Sequence, residues 1–128
     1  MILALVDDLM FRSKIKSIAT ERGIGVTFVQ SSDAALSAMR GQLPALVIFD
    51  LNNQRADPLG TMAAMKNDAA LASIPTVGYV SHVDINTINA ARAAGVGEVL
   101  ARSAFAAKLT ELLANPPPDR SQDGGSDH

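Results

Sequence analysis

A doubly wound α/β sandwich, a (βα)5 chain wrapped around a parallel sheet, is the fold class this sequence predicts, and three observations predict it. Five short β-branched or aliphatic runs alternate with five segments of helical apolar spacing. The runs are nearly continuous in apolar residues instead of alternating with polar ones, which marks strands buried on both faces. Helical crossovers between successive strands require parallel pairing, and helices on both faces make three layers.

Strands are expected at 2–6 (ILALV), 25–29 (GVTFV), 45–49 (ALVIF), 76–80 (TVGYV) and 98–101 (EVLA). Helices are expected at 9–22, 33–40, 59–71, 85–94 and 104–114. The punctuation agrees: Asp33, Asp57 and Asp84 stand at N-cap places, Pro58 at a first helical position, and Gly23, Gly41 and Gly95 behind helix ends. Right-handed crossovers with five strands give the flavodoxin-like order 2-1-3-4-5. Strands one and three are then neighbours at the switch point, where open α/β sheets bind ligands beyond the carboxyl ends of their strands.

A chain of 128 residues, 48% of them apolar, suits one domain with its own core. There is no cysteine, hence no disulfide, thiol nucleophile or Cys-bound metal. The apolar runs are strand-sized, well below the ~20 residues that span a bilayer, so a soluble protein without membrane partners is expected. Residues 115–128 (NPPPDRSQDGGSDH) have nothing apolar to bury and are expected to be a disordered tail to a domain at 1–114. That tail supplies the whole formal charge of −2, leaving ten acidic and ten basic residues in the body, a balance that excludes a nucleic-acid footprint.

The residues just behind the strands carry the chemistry. The first strand runs into Asp7 and Asp8, the third ends on Asp50, the fourth on Ser81 and the fifth on Arg102. Each alone has an ordinary reading, since aspartates cap helices and close turns and a serine there is a loop hydroxyl. Together they bring three carboxylates, a hydroxyl and a guanidinium to one sheet edge. Acids gathered that closely repel one another unless a hard divalent cation sits among them, and an all-oxygen set suits Mg2+. A carboxylate in such a site is a candidate nucleophile toward phosphorus. No Gly-rich loop follows the first strand, which argues against a dinucleotide-binding domain, and neither His82 nor His128 has metal-ligand spacing.

With LVDD, VIFDLNN, VGYVSH and AAGVGEVLAR at these spacings, residues 1–114 resemble the CheY-like receiver domain of bacterial two-component response regulators. The resemblance implies that Asp50 is the phosphoacceptor. It implies that Asp7 and Asp8 hold Mg2+ together with Asp50, and that Asn52 lends the metal a backbone carbonyl. Ser81 matches the hydroxyl that moves toward the phosphoryl group. A histidine kinase or phosphotransfer protein is the implied donor, docking near the first helix, where Arg12, Lys14, Lys16 and Arg22 lie; a solvated helix face is the plainer reading of those four. A downstream protein target, a cytoplasmic setting and a signalling phosphoacceptor that is not an enzyme complete the expectation.

Several positions depart from the family pattern. The family lysine falls on Arg102 and the proline after it on Ser103; the aromatic switch position falls on Val99. Gln54 stands in place of a proline, Pro58 in place of a glycine, and His82 in place of a small residue, narrowing access for a donor. Arginine is planar and forked, so the exchange is not conservative, and pairing of Arg102 with Asp50 is expected to favour an unphosphorylated ground state. Two functions follow: a phosphoswitch, favoured by the acidic pair, Asp50 and Ser81, or a pseudo-receiver acting as a phosphorylation-independent protein-binding scaffold, favoured by Arg102, Val99 and Ser103.

Overall fold

The computed structural model describes residues 1–82 and 84–114; the tail expected at 115–128 lies outside the described residues. Five strands, β1 (Ile2–Leu5), β2 (Val26–Phe28), β3 (Leu46–Asp50), β4 (Thr76–Val80) and β5 (Glu98–Ala101), form one sheet in the order β2-β1-β3-β4-β5. Every pairing is parallel. The helices are α1 (Leu9–Glu21), α2 (Ser32–Gly41), α3 (Pro58–Lys66), α4 (Ile85–Ala94) and α5 (Arg102–Ala114), with a 3-10 turn at Gln54–Ala56. Among the described residues no helix is long and apolar enough to cross a membrane.

Alternation along the strands sorts the core into two layers, because successive side chains of a strand point to opposite faces. Leu3, Leu5, Val47 and Phe49 pack with Ala35, Met39, Met62, Met65 and Ala91 on the face covered by α2, α3 and α4. Ile2, Ala4, Val6, Leu46, Ile48, Val77 and Tyr79 pack with Phe11, Ile15, Phe105 and Leu109 on the face covered by α1 and α5. On that second face Tyr79 stacks on Phe105 at a centroid distance of 4.6 Å, and Phe11 meets Tyr79 and Phe105 at 5.0 and 5.3 Å.

The capping chemistry explains most of the boundaries. Asp57 caps α3 through Oδ1, which accepts from Gly60 N at 3.1 Å, and Asp84 caps α4 by accepting from Asn86 N at 3.0 Å. Gly95, at φ 102°, closes α4 in the left-handed region that glycine enters freely.

Four local expectations are corrected. Ser31, not Asp33, caps α2, with its Oγ accepting from Ala34 N at 3.1 Å; Asp33 lies in the first turn, where its charge suits the helix dipole. Gly41 is the last residue of α2 and needs no positive φ. The third helix stops at Lys66 instead of 71, because Asp68 draws the chain into a turn by accepting from Ala70 N at 2.9 Å and binds Arg40 at 3.3 Å. The fifth helix begins at Arg102, two residues before the expected Ala104.

The aromatic layer gives a stability prediction. Phe105→Ala should cost about 3–5 kcal/mol in urea denaturation, as a buried Phe does when it leaves a cavity. Tyr79→Phe keeps the stack and removes a buried hydroxyl that has no hydrogen-bond partner among the described residues, so stability should hold or rise by up to about 1 kcal/mol. A loss comparable to that of Phe105→Ala would mean that the hydroxyl is engaged after all.

Candidate functional site

The site is assembled by register. Residues of β1, β3 and β4 that lie side by side point to the same face, and Asp50 is paired with Tyr79 across the β3–β4 ladder. Ser81 is two residues beyond Tyr79, and Asp8 two beyond Val6, which packs on the α1/α5 side. Asp8, Asp50, Tyr79 and Ser81 therefore share the α1/α5 side of the crevice at the carboxyl edge, and Arg102 enters it from the first position of α5.

Asp8 is fully engaged. Its Oδ1 caps α1, accepting from Met10 N at 2.9 Å and Phe11 N at 3.3 Å, while Oδ2 accepts from Arg102 Nη1 at 2.7 Å. Burial pushes its carboxyl up, but the Phe11 N–H, the Arg102 guanidinium and the Met10 N–H outweigh this and hold it below the ordinary value. Arg102 Nη1 also reaches Ser81 Oγ at 3.5 Å, and its Cζ sits 4.6 Å from the centre of the Phe11 ring, a cation–π contact.

Asp50 is buried, only 8% exposed. Its Oδ1 accepts from Asn52 N at 3.1 Å. Burial raises its carboxyl above the ordinary value against the pull of that N–H, and the charges of Asp8 and Asp7 add to the rise. The Tyr79 hydroxyl lies near enough to favour the carboxylate slightly without closing a hydrogen bond to it. Burial first, then the charges of Asp50 and Asp8, hold that phenol strongly in its neutral form.

The remaining residues fall into place unevenly. Arg102 pairs with Asp8, not with Asp50 as expected, because Asp8 Oδ2 stands at the open mouth of the crevice while Asp50 is sunk below it. The Asn52 side chain turns across to β4, where its Oδ1 accepts from Ser81 N at 2.6 Å and adds one rung beyond the Leu51 N to Tyr79 O bond. Asp7 is exposed and lines a separate small pocket of about 210 Å³ with Gln30, Asn53 and Arg55. Val99 packs toward the opposite core layer. Gln54 lies in the 3-10 turn, Pro58 is buried at the start of α3, and His82 is exposed.

Among the described residues no group of three or more His, Cys, Asp or Glu side chains is gathered so as to hold a metal ion. With Asp8 bound on both oxygens and Asp7 turned to another pocket, the residues as arranged do not fit a divalent cation. The crevice instead opens into a groove of about 500 Å³ lined by Met10, Phe11, Lys14, Ser81, Arg102 and Ser103.

Tyr79 is the residue that sequence reasoning passed over. Its signal is the two-residue spacing to Ser81 within VGYVS, which puts both side chains on one face of the strand.

No protein-family model matches the chain, and no curated protein matches it either. Solved structures do. A response regulator from Hahella chejuensis matches with a TM-score of 0.77 and 20% identity over 88% of this chain and 91% of its own. The receiver domain of NtrX from Brucella abortus matches at 0.72 and 22% identity, over 88% and 93%. The Mn2+-bound form of the response regulator Rcp1 matches at 0.72 and 16% identity, over 91% and 96%. Identities this low carry the architecture and not the chemistry, and the chain has the fold of response-regulator receiver domains.

Proposed function

We propose that this chain is a receiver-type signalling module in which Asp50 accepts a phosphoryl group and the new charge alters a protein-binding surface. The observation that carries the reading is Asp50 itself: a buried carboxylate at the switch point between β1 and β3, with Asp8, Ser81 and Arg102 around the mouth above it. A strand end does not need a buried, acid-flanked carboxylate for stability, because burying it costs free energy.

In this reading an Asp50 oxygen attacks the phosphorus of a phosphohistidine on a histidine kinase or phosphotransfer protein. The P–N bond breaks with its electron pair going to the imidazole, which regains a proton, and an acyl phosphate forms on Asp50. Arg102 and the Ser81 hydroxyl are the groups of this chain that meet the charge of the phosphoryl oxygens. Mg2+, expected on Asp7, Asp8, Asp50 and the Asn52 carbonyl, would require a rearrangement of Asp7 and Asp8. The Rcp1 relative is described with Mn2+, which supports a divalent cation in this fold generally. The donor docks on the groove beside α1, the output is a downstream protein target, and a cytoplasmic setting accompanies both. The chain is a signalling phosphoacceptor, not an enzyme with turnover.

The second reading, a phosphorylation-independent scaffold, is favoured by one observation, the engagement of Arg102 with Asp8 in place of the phosphoacceptor.

Intact-mass measurement after incubation with acetyl phosphate and Mg2+ separates the two: a single phosphoryl increment, absent in Asp50→Asn, is expected. No increment, with either a small donor or a phosphorylated phosphotransfer protein, establishes the scaffold.

The same substitution has a pH signature. Because the Asp50 carboxyl is raised in the fold, the folded chain holds that proton more tightly than the unfolded one, and ionised Asp50 is destabilising. Asp50→Asn should therefore raise Tm at neutral pH. The gain should shrink as pH falls through the folded-state value and vanish below 3.8, the ordinary aspartate value. A gain that stays constant across that range would show that Asp50 does not titrate as a buried acid.

A further inference from the structure

We infer that Arg102 is the resident cation of the crevice, holding on Asp8 the place that a divalent cation would need, so that Mg2+ binds only in competition with this side chain. The inference rests on reading this crevice as the functional site, but it does not require Asp50 to take up phosphate.

Three contacts fix the guanidinium. Nη1 donates to Asp8 Oδ2 at 2.7 Å and to Ser81 Oγ at 3.5 Å, and Cζ lies 4.6 Å from the centre of the Phe11 ring. Phe11 is itself immobilised, 2% exposed and packed against Tyr79 and Phe105, so the guanidinium rests on a rigid platform. A hydrated ammonium gains less from such a platform than a weakly hydrated guanidinium does.

On the acid side, the other oxygen of Asp8 is occupied by two N–H groups of α1. Withdrawing that oxygen for a metal uncaps the helix, and withdrawing Oδ2 breaks the ion pair. Asp7 offers no substitute, because it stands one residue out of phase with Asp8 and lines another pocket. The pair is partly exposed, with side-chain exposures of 34% for Arg102 and 22% for Asp8, so competition and not absolute exclusion is the expected behaviour.

The test is a Mg2+ titration of the full chain, followed by calorimetry and by backbone amide NMR, in the wild type, Arg102→Gln and Lys14→Gln. Lys14 lines the same groove without an ion pair to Asp8, so its removal reports the general effect of losing one positive charge. Arg102→Gln should bind Mg2+ about tenfold more tightly than the wild type, equivalent to about 1.4 kcal/mol, with shifts at the Asp8 and Asn52 amides. Lys14→Gln should change affinity by no more than about twofold, as a screened surface charge does. Should Arg102→Gln fail to fold, Arg102→Lys keeps the charge but replaces the weakly hydrated guanidinium over Phe11 with a hydrated ammonium, and a tighter site than the wild type is again expected.

Equal affinity in the wild type and the Arg102 variants would overturn the inference, as would an equal gain from Lys14→Gln. Absence of binding in every variant would overturn it too, since the acids would then form no cation site at all. Loss of the phosphoryl increment at Asp50 with the titration result intact would sink the phosphoacceptor reading alone.

Discussion

Side-chain parity along the parallel strands is the constraint on which the crevice depends. Even-numbered positions of β1 and β3 and odd-numbered positions of β4 face α1 and α5, and the registers Ala4↔Ile48 and Ile48↔Val77 lock those phases together. Extended past the strand ends, the same phases deliver Asp8, Asp50, Tyr79 and Ser81 to one side. Asp7, one residue out of phase, lines a separate pocket. A one-residue slip of β3 would move Asp50 to the other layer and bring Phe49 or Leu51 into the crevice, so the apolar pattern that builds the core also builds the site.

Charge is balanced unequally within that side. Asp8 is stabilised as a carboxylate by two backbone N–H groups and a guanidinium, whereas Asp50 has one N–H, little water and two acidic neighbours. The two carboxyls are therefore pushed in opposite directions, the pattern by which neighbouring acids take different roles. Tyr79 deepens the asymmetry: its hydroxyl is buried beneath the acids and held neutral, a donor with no partner of its own among the described residues.

Where the chain's own grammar decides, the sequence was sufficient. The strand limits of β4 and β5 and the extent of α4 coincide with the expected ones, since apolar runs and an Asp N-cap leave little choice. Where two local signals compete, it was not: Ser31 and Asp33 both suit a helix start, and the apolar spacing through Leu71 hid the turn that Asp68 makes with Ala70 and Arg40. The site divides in the same way. Which residues reach the carboxyl edge follows from counting along strands, but the partner of Arg102 depends on the depth of Asp50 relative to Asp8. That depth is a property of packing, which no spacing encodes.

The Asn52–Ser81 bond connects the crevice to the rest of the fold. Leu51 N donates to Tyr79 O as the last β3–β4 rung, and Asn52 Oδ1 then accepts from Ser81 N, so a side chain continues the ladder where the backbones diverge. The loop after β3 bears Asn52, whose own N–H is held by Asp50, and the segment after β4 bears Ser81, whose hydroxyl meets Arg102. Asp50, Asn52, Ser81, Arg102 and Asp8 thus form one chain of hydrogen bonds from the buried acid to the cap of α1. Val99, at the position where an aromatic switch is expected, packs into the other core layer and takes no part in that polar chain.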